Sequence, residues 1–308
     1  MITKFGKRFL TSYISGNNNM LVKELAFGIG STSPNSKGND TKLEFEFYRV
    51  PVELSSIDIS QTGTDLDGDP VFAYSVIYKS TIPQDISGVI SEIALYPGNR
   101  QSINNYASKF ITSFTNNFNW FDGSENPTSQ SNTQNSSGAY TFLSKIGYTI
   151  VRFDATSGST KEYTNSLVSY DISGYSVNDT ISIAYKKADN NVSKIRVKFY
   201  SSASAYYYVD FTPESGTGDK IQSLSLNSLF SNYTAFPNLP DPSSITKIGV
   251  EITATGGNST VYFDGIRIND EDTFDPAYGM VSRSLLSAPL IKKPGRPVDI
   301  EYKLLLEF

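Results

Sequence analysis

The last eleven residues set the terms for the rest of the chain. Val298, Ile300, Tyr302, Leu304, Leu306 and Phe308 alternate with Asp299, Glu301, Lys303 and Glu307. Only an extended strand turns a period of two into one apolar and one polar face. A one-residue slip in pairing would carry the whole apolar set to solvent, so the register is strongly specified. Such a strand needs a partner sheet. Leu43-Glu44-Phe45-Glu46-Phe47-Tyr48-Arg49 has matching character, and Phe72 to Tyr78 and Gly88 to Pro97 read as further strands, the last ended by Pro97 and Gly98. Helical periodicity is hard to find anywhere, which predicts an all-β chain.

The texture changes after residue 100. Asp122 through Gly138 is almost free of apolar side chains and reads as an exposed loop. Short strands then follow at the spacing of a sandwich: Tyr148–Phe153, Thr180–Tyr185, Lys194–Tyr200, Tyr206–Phe211, Lys247–Thr253 and Thr260–Ile268. Polar turns such as Ala188-Asp189-Asn190-Asn191 and Thr255-Gly256-Gly257-Asn258 separate them. With 308 residues, the length suits two domains at roughly 150 residues each. The predicted architecture is a split β-sandwich made of 1–100 and 273–308, with a jelly-roll β-sandwich, 101–272, inserted between them. Insertion is tolerated where a domain's ends lie close together. The alternative is two consecutive domains with a boundary near residue 140.

Composition removes several function classes. The chain has no Cys and no His, which excludes disulfides, imidazole metal sites, His-dependent triads and Cys nucleophiles. Carboxylate, Lys or Tyr chemistry survives. Net charge is −5, with no basic cluster of the kind a nucleic-acid binder shows. No apolar run approaches the roughly 18 residues of a membrane span, so no nucleic acid and no membrane insertion are expected. The basic start Met1 to Arg8 precedes a stretch too polar and short for a signal peptide, so the product is expected to fold where it is made. Charged residues at 19% and aromatics at 13% suit short twisted strands joined by polar turns.

Two sets of segments resemble known families. Leu25-Ala26-Phe27-Gly28-Ile29-Gly30, the strand from Leu43 to Val52, Val89-Ile90-Ser91-Glu92-Ile93-Ala94-Leu95-Tyr96, and Pro289 to Tyr302 with its Lys293-Pro294-Gly295 turn resemble a β-domain of tailed-phage fibre and baseplate proteins. Phe114-Thr115-Asn116-Asn117-Phe118-Asn119-Trp120, Ile172-Ser173-Gly174-Tyr175, Ile248 to Ile252 and Val261-Tyr262-Phe263-Asp264-Gly265-Ile266-Arg267-Ile268 resemble jelly-roll carbohydrate-binding modules. That second resemblance implies a sandwich with glycan contact. It also implies a structural cation near Asp264, although Gly265 stands where a second acidic residue is common.

The candidate sites are few. In Tyr206-Tyr207-Tyr208, alternation puts Tyr206, Tyr208 and Asp210 on one face, and Tyr207, Val209 and Phe211 on the other. Tyr206 and Tyr208 are the candidate glycan-binding residues, since each offers an apolar ring with a polar tip. A subunit interface and ordinary packing are the competing readings. Trp120, beside Phe118 and Phe121, reads as a core anchor. Asp65-Leu66-Asp67-Gly68-Asp69 has the look of a calcium loop, but Val76 stands at the position of the bidentate Glu, so it reads as a solvated turn between Ile59 and Val71. Asp210 with Glu214, or Glu251 with Asp264, are the carboxylate pairs a glycosidase reading would invoke. No metal or cofactor is expected.

The resulting expectation is a non-catalytic structural virion protein of a tailed phage, a tail, baseplate or fibre component assembled in the host cytoplasm. Its expected partners are other virion proteins, further copies of itself and a host-surface glycan. A capsid decoration protein, a polysaccharide depolymerase and a stand-alone carbohydrate-binding module are the alternatives.

Overall fold

The computed structural model describes residues 1–14, 22–64, 67–68, 70–97, 109–112, 114, 117–131, 133–134, 140–141, 145–147, 149–166, 168–235, 238–269 and 279–307. From the N-terminus run helix α1 (Lys4–Ile14) and strands β1 (Val22–Ile29), β2 (Phe45–Pro51), β3 (Glu53–Thr64), β4 (Pro70–Ile82) and β5 (Gly88–Pro97). Next come β6 (Lys109–Thr112), β7 (Thr128–Ser131), β8 (Thr133–Gln134), β9 (Tyr140–Thr141), β10 (Thr149–Ala155), β11 (Thr160–Asn165), β12 (Thr180–Lys187) and β13 (Val192–Tyr200). The chain closes with β14 (Tyr206–Phe211), β15 (Gly218–Ser225), helix α2 (Leu226–Phe230), β16 (Tyr233–Thr234), β17 (Lys247–Ala254), β18 (Ser259–Asn269), β19 (Ser282–Lys292) and β20 (Val298–Glu307). Two compact units result: Met1–Arg100 with Thr273–Phe308, and Gln101–Asp272.

In the first unit, antiparallel sheets of order β19-β5-β1-β2 and β20-β4-β3 share one core. The C-terminal strand pairs with β4 from Val298↔Ile82 to Glu307↔Ala73. Its alternation works as the sequence demands: Tyr302 and Leu304 are buried while Glu301 and Lys303 face water. Leu25, Phe27, Ile93 and Leu95 reach the same core from the other sheet. The turn before β20 uses Gly295 at φ +89°, a backbone conformation that disfavours a side chain, and its amide donates to the Gln84 carbonyl at 2.7 Å.

Glu92 explains the two glycines of the first strand region. A Cβ at Gly28 would lie 2.6 Å from Glu92 Oε1, and one at Gly30 would lie 2.8 Å from its Cδ. The carboxylate fills the space those side chains vacate. It is 0% exposed and takes Arg283 Nε at 3.0 Å and Nη2 at 2.8 Å, while Arg283 Nη1 reaches Asp40 at 3.2 Å. The Phe45 amide donates to Glu92 Oε1 at 3.2 Å. Burial is the largest influence and pushes the Glu92 carboxyl up to about 7, against the opposing pull of Arg283 and that amide.

Two expectations for this region need correction. The N-terminal segment, where no helical periodicity stood out, is helix α1. Among its described residues Gly6 and Phe9 are buried and Phe5 and Leu10 half-buried, with the Phe5 and Phe9 rings 6.1 Å apart, a pattern of three apolar side chains in one brief segment. Thr3 Oγ1 accepts the Gly6 amide at 2.9 Å, satisfying one of the free donors of the first turn. The turn placed between Ile59 and Val71 is also shorter than expected, because the hairpin ladder continues to Thr64↔Pro70. Of the acidic run there, Asp65, Leu66 and Asp69 lie outside the described residues, as does Phe308 at the end of β20.

The second unit is a sandwich of antiparallel sheets. One has the order β15-β12-β18-β10-β7, with β6 also on β18; the other has the order β11-β17-β13-β14-β16. Between them sit Phe153, Phe263, Ile195, Val197, Phe199, Val209, Phe211, Val250 and Ile252. Trp120 is a core residue, 1% exposed and stacked on Phe114 with ring centroids 4.5 Å apart. Its neighbours Phe118 and Phe121 are exposed. The stretch expected to be loop from Asp122 to Gly138 contains β7, which pairs with β10 as an edge strand. Thr and Ser side chains there gave no apolar alternation to read. Residues 132 and 135–138 of that stretch, and Tyr148, Thr115 and Asn116, fall outside the described residues.

Candidate carbohydrate-binding face

The outward side of the five-stranded sheet is built by strict alternation. Along β13, Ile195, Val197 and Phe199 enter the core, so Lys194, Arg196, Lys198 and Tyr200 face out. On β14 the same rule sends Val209 and Phe211 inward with Tyr207, whose hydroxyl donates to the Pro240 carbonyl at 2.8 Å. Tyr206, Tyr208 and Asp210 are therefore left on the outer face. Register then assembles the rows. Glu162↔Glu251, Glu251↔Arg196 and Arg196↔Asp210 form one, Thr164↔Gly249, Gly249↔Lys198 and Lys198↔Tyr208 the next, and Lys247↔Tyr200, Tyr200↔Tyr206 and Tyr206↔Thr234 a third.

The charges in these rows hold one another. Arg196 donates to both oxygens of Asp210, at 2.6 and 2.7 Å, and its guanidinium lies 4.1 Å from the Tyr208 ring centroid. Lys198 Nζ sits 2.7 Å from Glu251 and 3.0 Å from Glu162. Tyr200 donates its phenol to Glu162 at 2.5 Å, and its ring is 4.7 Å from that of Tyr206. Gly249 makes this arrangement possible, since a Cβ there would collide with Glu162 Oε1 and crowd the Tyr200 ring. Fixed side chains of this kind keep their orientation without a ligand.

The titration behaviour follows from the same contacts. Burial would lower the Lys198 pKa, but its hydrogen bonds and ion pairs with Glu251 and Glu162 outweigh that and hold it above the ordinary lysine value. Burial, then the hydrogen bond to Glu162, pushes the Tyr200 phenol well up. The Arg196 hydrogen bonds hold the Asp210 carboxyl below the usual carboxylate range. Lys198, Tyr200 and Asp210 therefore each keep one charge state through neutral pH.

Tyr206 and Tyr208 are half-buried, and neither phenol has a hydrogen-bond partner among the described residues. Each presents part of a ring and a free polar tip. Sequence reasoning placed these two but missed Tyr200, Arg196, Lys198, Glu162, Glu251, Lys247 and Gly249 around them. One signal was present: Lys194, Arg196, Lys198 and Tyr200 alternate with the apolar Ile195, Val197 and Phe199. Which strands flank them depends on long-range register, which composition does not encode.

The other candidates resolve differently. Asp264 is buried, and its Oδ2 accepts the amides of Lys145 at 2.6 Å and Ile146 at 3.2 Å, tying that segment to β18. Among the described residues no group of three acidic side chains could hold a metal ion. The invoked carboxylate pairs do not act together: Asp210 is bound to Arg196 and Glu214 faces Lys220 at 3.8 Å. Glu251 holds Lys198 on one sheet while Asp264 belongs to the other.

No protein-family model and no curated protein sequence matches this chain. Among solved structures, it is similar to the family 11 carbohydrate-binding module of the cellulosomal cellulase Lic26A-Cel5E of Clostridium thermocellum, at 15% identity, over 53% of this chain and 95% of that one, with a TM-score of 0.34. The agarase AgWH50C is similar at 11% identity, over 53% of this chain and 24% of that one, with a TM-score of 0.34. The enzymatically active domain of tailspike protein 4 of bacteriophage CBA120 is similar at 11% identity, over 50% of this chain and 20% of that one, with a TM-score of 0.30. At such scores these likenesses say nothing of what this chain binds.

Proposed function

We propose that this chain is a non-catalytic glycan-binding protein, in which residues 101–272 hold the sugar and residues 1–100 with 273–308 attach it to a larger assembly. The observation that carries the reading is the pair Tyr206 and Tyr208, with free phenols and half-open rings, set among polar groups that already orient one another. A pyranose has an apolar C–H face for such rings and hydroxyls for such partners. Binding to a glycan panel tests it. Tyr206→Ala and Tyr208→Ala each lower affinity by about tenfold, the loss of roughly 1.4 kcal/mol expected for a ring contact. Unchanged binding in both variants would sink the site. No turnover of any bound glycan is expected, and turnover abolished by Asp210→Asn or Glu251→Gln would establish the depolymerase reading instead.

The attachment role is favoured by the outer strand β3. Leu54, Ile57 and Ile59 are 57%, 58% and 60% exposed, and among the described residues no strand pairs with the outer edge of β3. Exposed apolar side chains along a free edge are the usual mark of an interaction surface. A place in a phage tail rests on the resemblance of segments 25–30, 43–52, 89–96 and 289–302. In such an assembly, repeated copies would turn weak sugar contacts into firm attachment. Electron microscopy of particles labelled through this chain checks it: tail labelling supports the reading, head labelling favours a decoration protein, and unlabelled particles refute both.

A further inference from the structure

The charges on the binding face do not cancel, and the remainder has a definite position. Its cations are Lys194, Arg196, Lys198 and Lys247; its anions are Glu162, Asp210 and Glu251. Each carboxylate is already engaged, Asp210 by Arg196, Glu162 by Lys198, and Glu251 by Lys198 at 2.7 Å and Lys194 at 3.5 Å. Lys247 has no carboxylate within ion-pair distance among the described residues. Its ammonium instead lies over the Tyr200 ring, 3.9 Å from the centroid. A cation held on an aromatic face is positioned before any ligand arrives, unlike a freely solvated surface lysine.

The row Lys247, Tyr200, Tyr206, Thr234 also gives a spacing. Lys247 and Tyr206 are two strands apart, about 10 Å at the usual strand separation. The ammonium itself lies between those two positions, over a Tyr200 ring that is 4.7 Å from the Tyr206 ring, so a sugar resting on Tyr206 brings its neighbour to the ammonium.

We propose that this face selects an acidic glycan, with a carboxylate- or sulfate-bearing sugar at Lys247 and the adjoining ring on Tyr206. The inference rests on the glycan reading above and adds the chemical class of the ligand. The chain as a whole carries −5, so its long-range field repels polyanions, and a preference for one must come from a local, uncompensated cation.

The test compares the intact protein on three polymers: a uronan, the same polymer with its carboxyls reduced to neutral alcohols, and a sulfated counterpart. At low salt, at least fivefold tighter binding is expected for one or both charged polymers than for the neutral one, with the preference shrinking as ionic strength rises. Lys247→Gln removes the preference, bringing charged and neutral polymers to the same affinity as each other. Lys220→Gln, on the other sheet, leaves the preference intact. Equal binding of charged and neutral polymers overturns the proposal, as does a preference that survives Lys247→Gln or falls equally with Lys220→Gln. Failure to bind all three, and every glycan of the wider panel, overturns the glycan reading itself.

Discussion

The two units are built from the same kind of alternating antiparallel strand, yet their main ion-pair networks sit differently. The unit formed by both chain ends buries Glu92 and Arg283, 0% and 3% exposed, with the Glu92 carboxylate against Gly28 and Gly30. In the 101–272 unit, aromatic and aliphatic side chains fill the space between the sheets, and an ionic network is spread over one outer face. A buried pair constrains its surroundings, because neither partner tolerates loss of the other. An outer network is cheap to alter and free to meet a ligand. The difference separates a unit whose ion pair is enclosed from one whose ion pairs border the face proposed above for glycan.

The sharpest way to break that contrast is to strand the buried charge. Arg283→Met leaves Glu92 desolvated without its main counter-ion, and about 3–5 kcal/mol of stability is expected to go from the first unit. Hydrogen exchange reads each unit separately: amides of β1 and β5 lose protection by more than a hundredfold, while those of β13 and β17 keep theirs. A loss below tenfold in β5 would mean that Arg283 contributes little and that the two units are alike.

Acidity should move the units in opposite directions. The Glu92 carboxyl is raised to about 7 by burial, so between its unfolded value near 4.5 and 7 the folded state keeps a proton that the unfolded state has released. Stability from Glu92 is therefore complete below pH 4.5 and falls as pH rises towards 7, by about 1 kcal/mol per unit at most. Asp210 has the reverse sign. Held low by Arg196, it stabilises the fold above the ordinary carboxylate range and ceases to do so as pH falls through its depressed value. Protection of β5 measured from pH 5 to 7 should decline, and that of β14 should decline only on acidification below 4. A β5 profile that rises over that interval would show that Arg283 dominates burial.

Much of this architecture was legible, and the reason is period two. β14 was read residue for residue and β20 up to its last residue because their side chains alternate, whereas β5, buried on both faces, was read from an apolar run ended by Pro97. Strands β7, β11 and β15 were not, because Ser, Thr, Lys and Asn occupy both faces at sheet edges and leave no apolar period. Helix α1 was hidden because its apolar side chains Phe5, Phe9 and Leu10 fall in one brief segment of a chain otherwise patterned as strands. For the binding face, Tyr206 and Tyr208 followed from alternation within one strand. Tyr200, Glu162 and Lys247 required knowing which strands lie side by side, and that is fixed by packing between residues far apart in sequence.

The smallest expected effect is also the one that most narrowly defines the outer network. Arg196 and Asp210 form a two-pronged pair at 2.6 and 2.7 Å, but Asp210 has a side chain 41% exposed. Solvent screening at that exposure limits the pair to about 1 kcal/mol or less. Arg196→Ala, Asp210→Ala and the double variant form a cycle whose coupling, read from denaturant midpoints, is expected below that figure. Glycan affinity should respond more strongly than stability, because Arg196 also lies against the Tyr208 ring and sets its attitude. If the cycle returned a coupling near that of a buried pair, the outer network would be holding the sandwich together, and its fixed geometry would need no ligand to explain it.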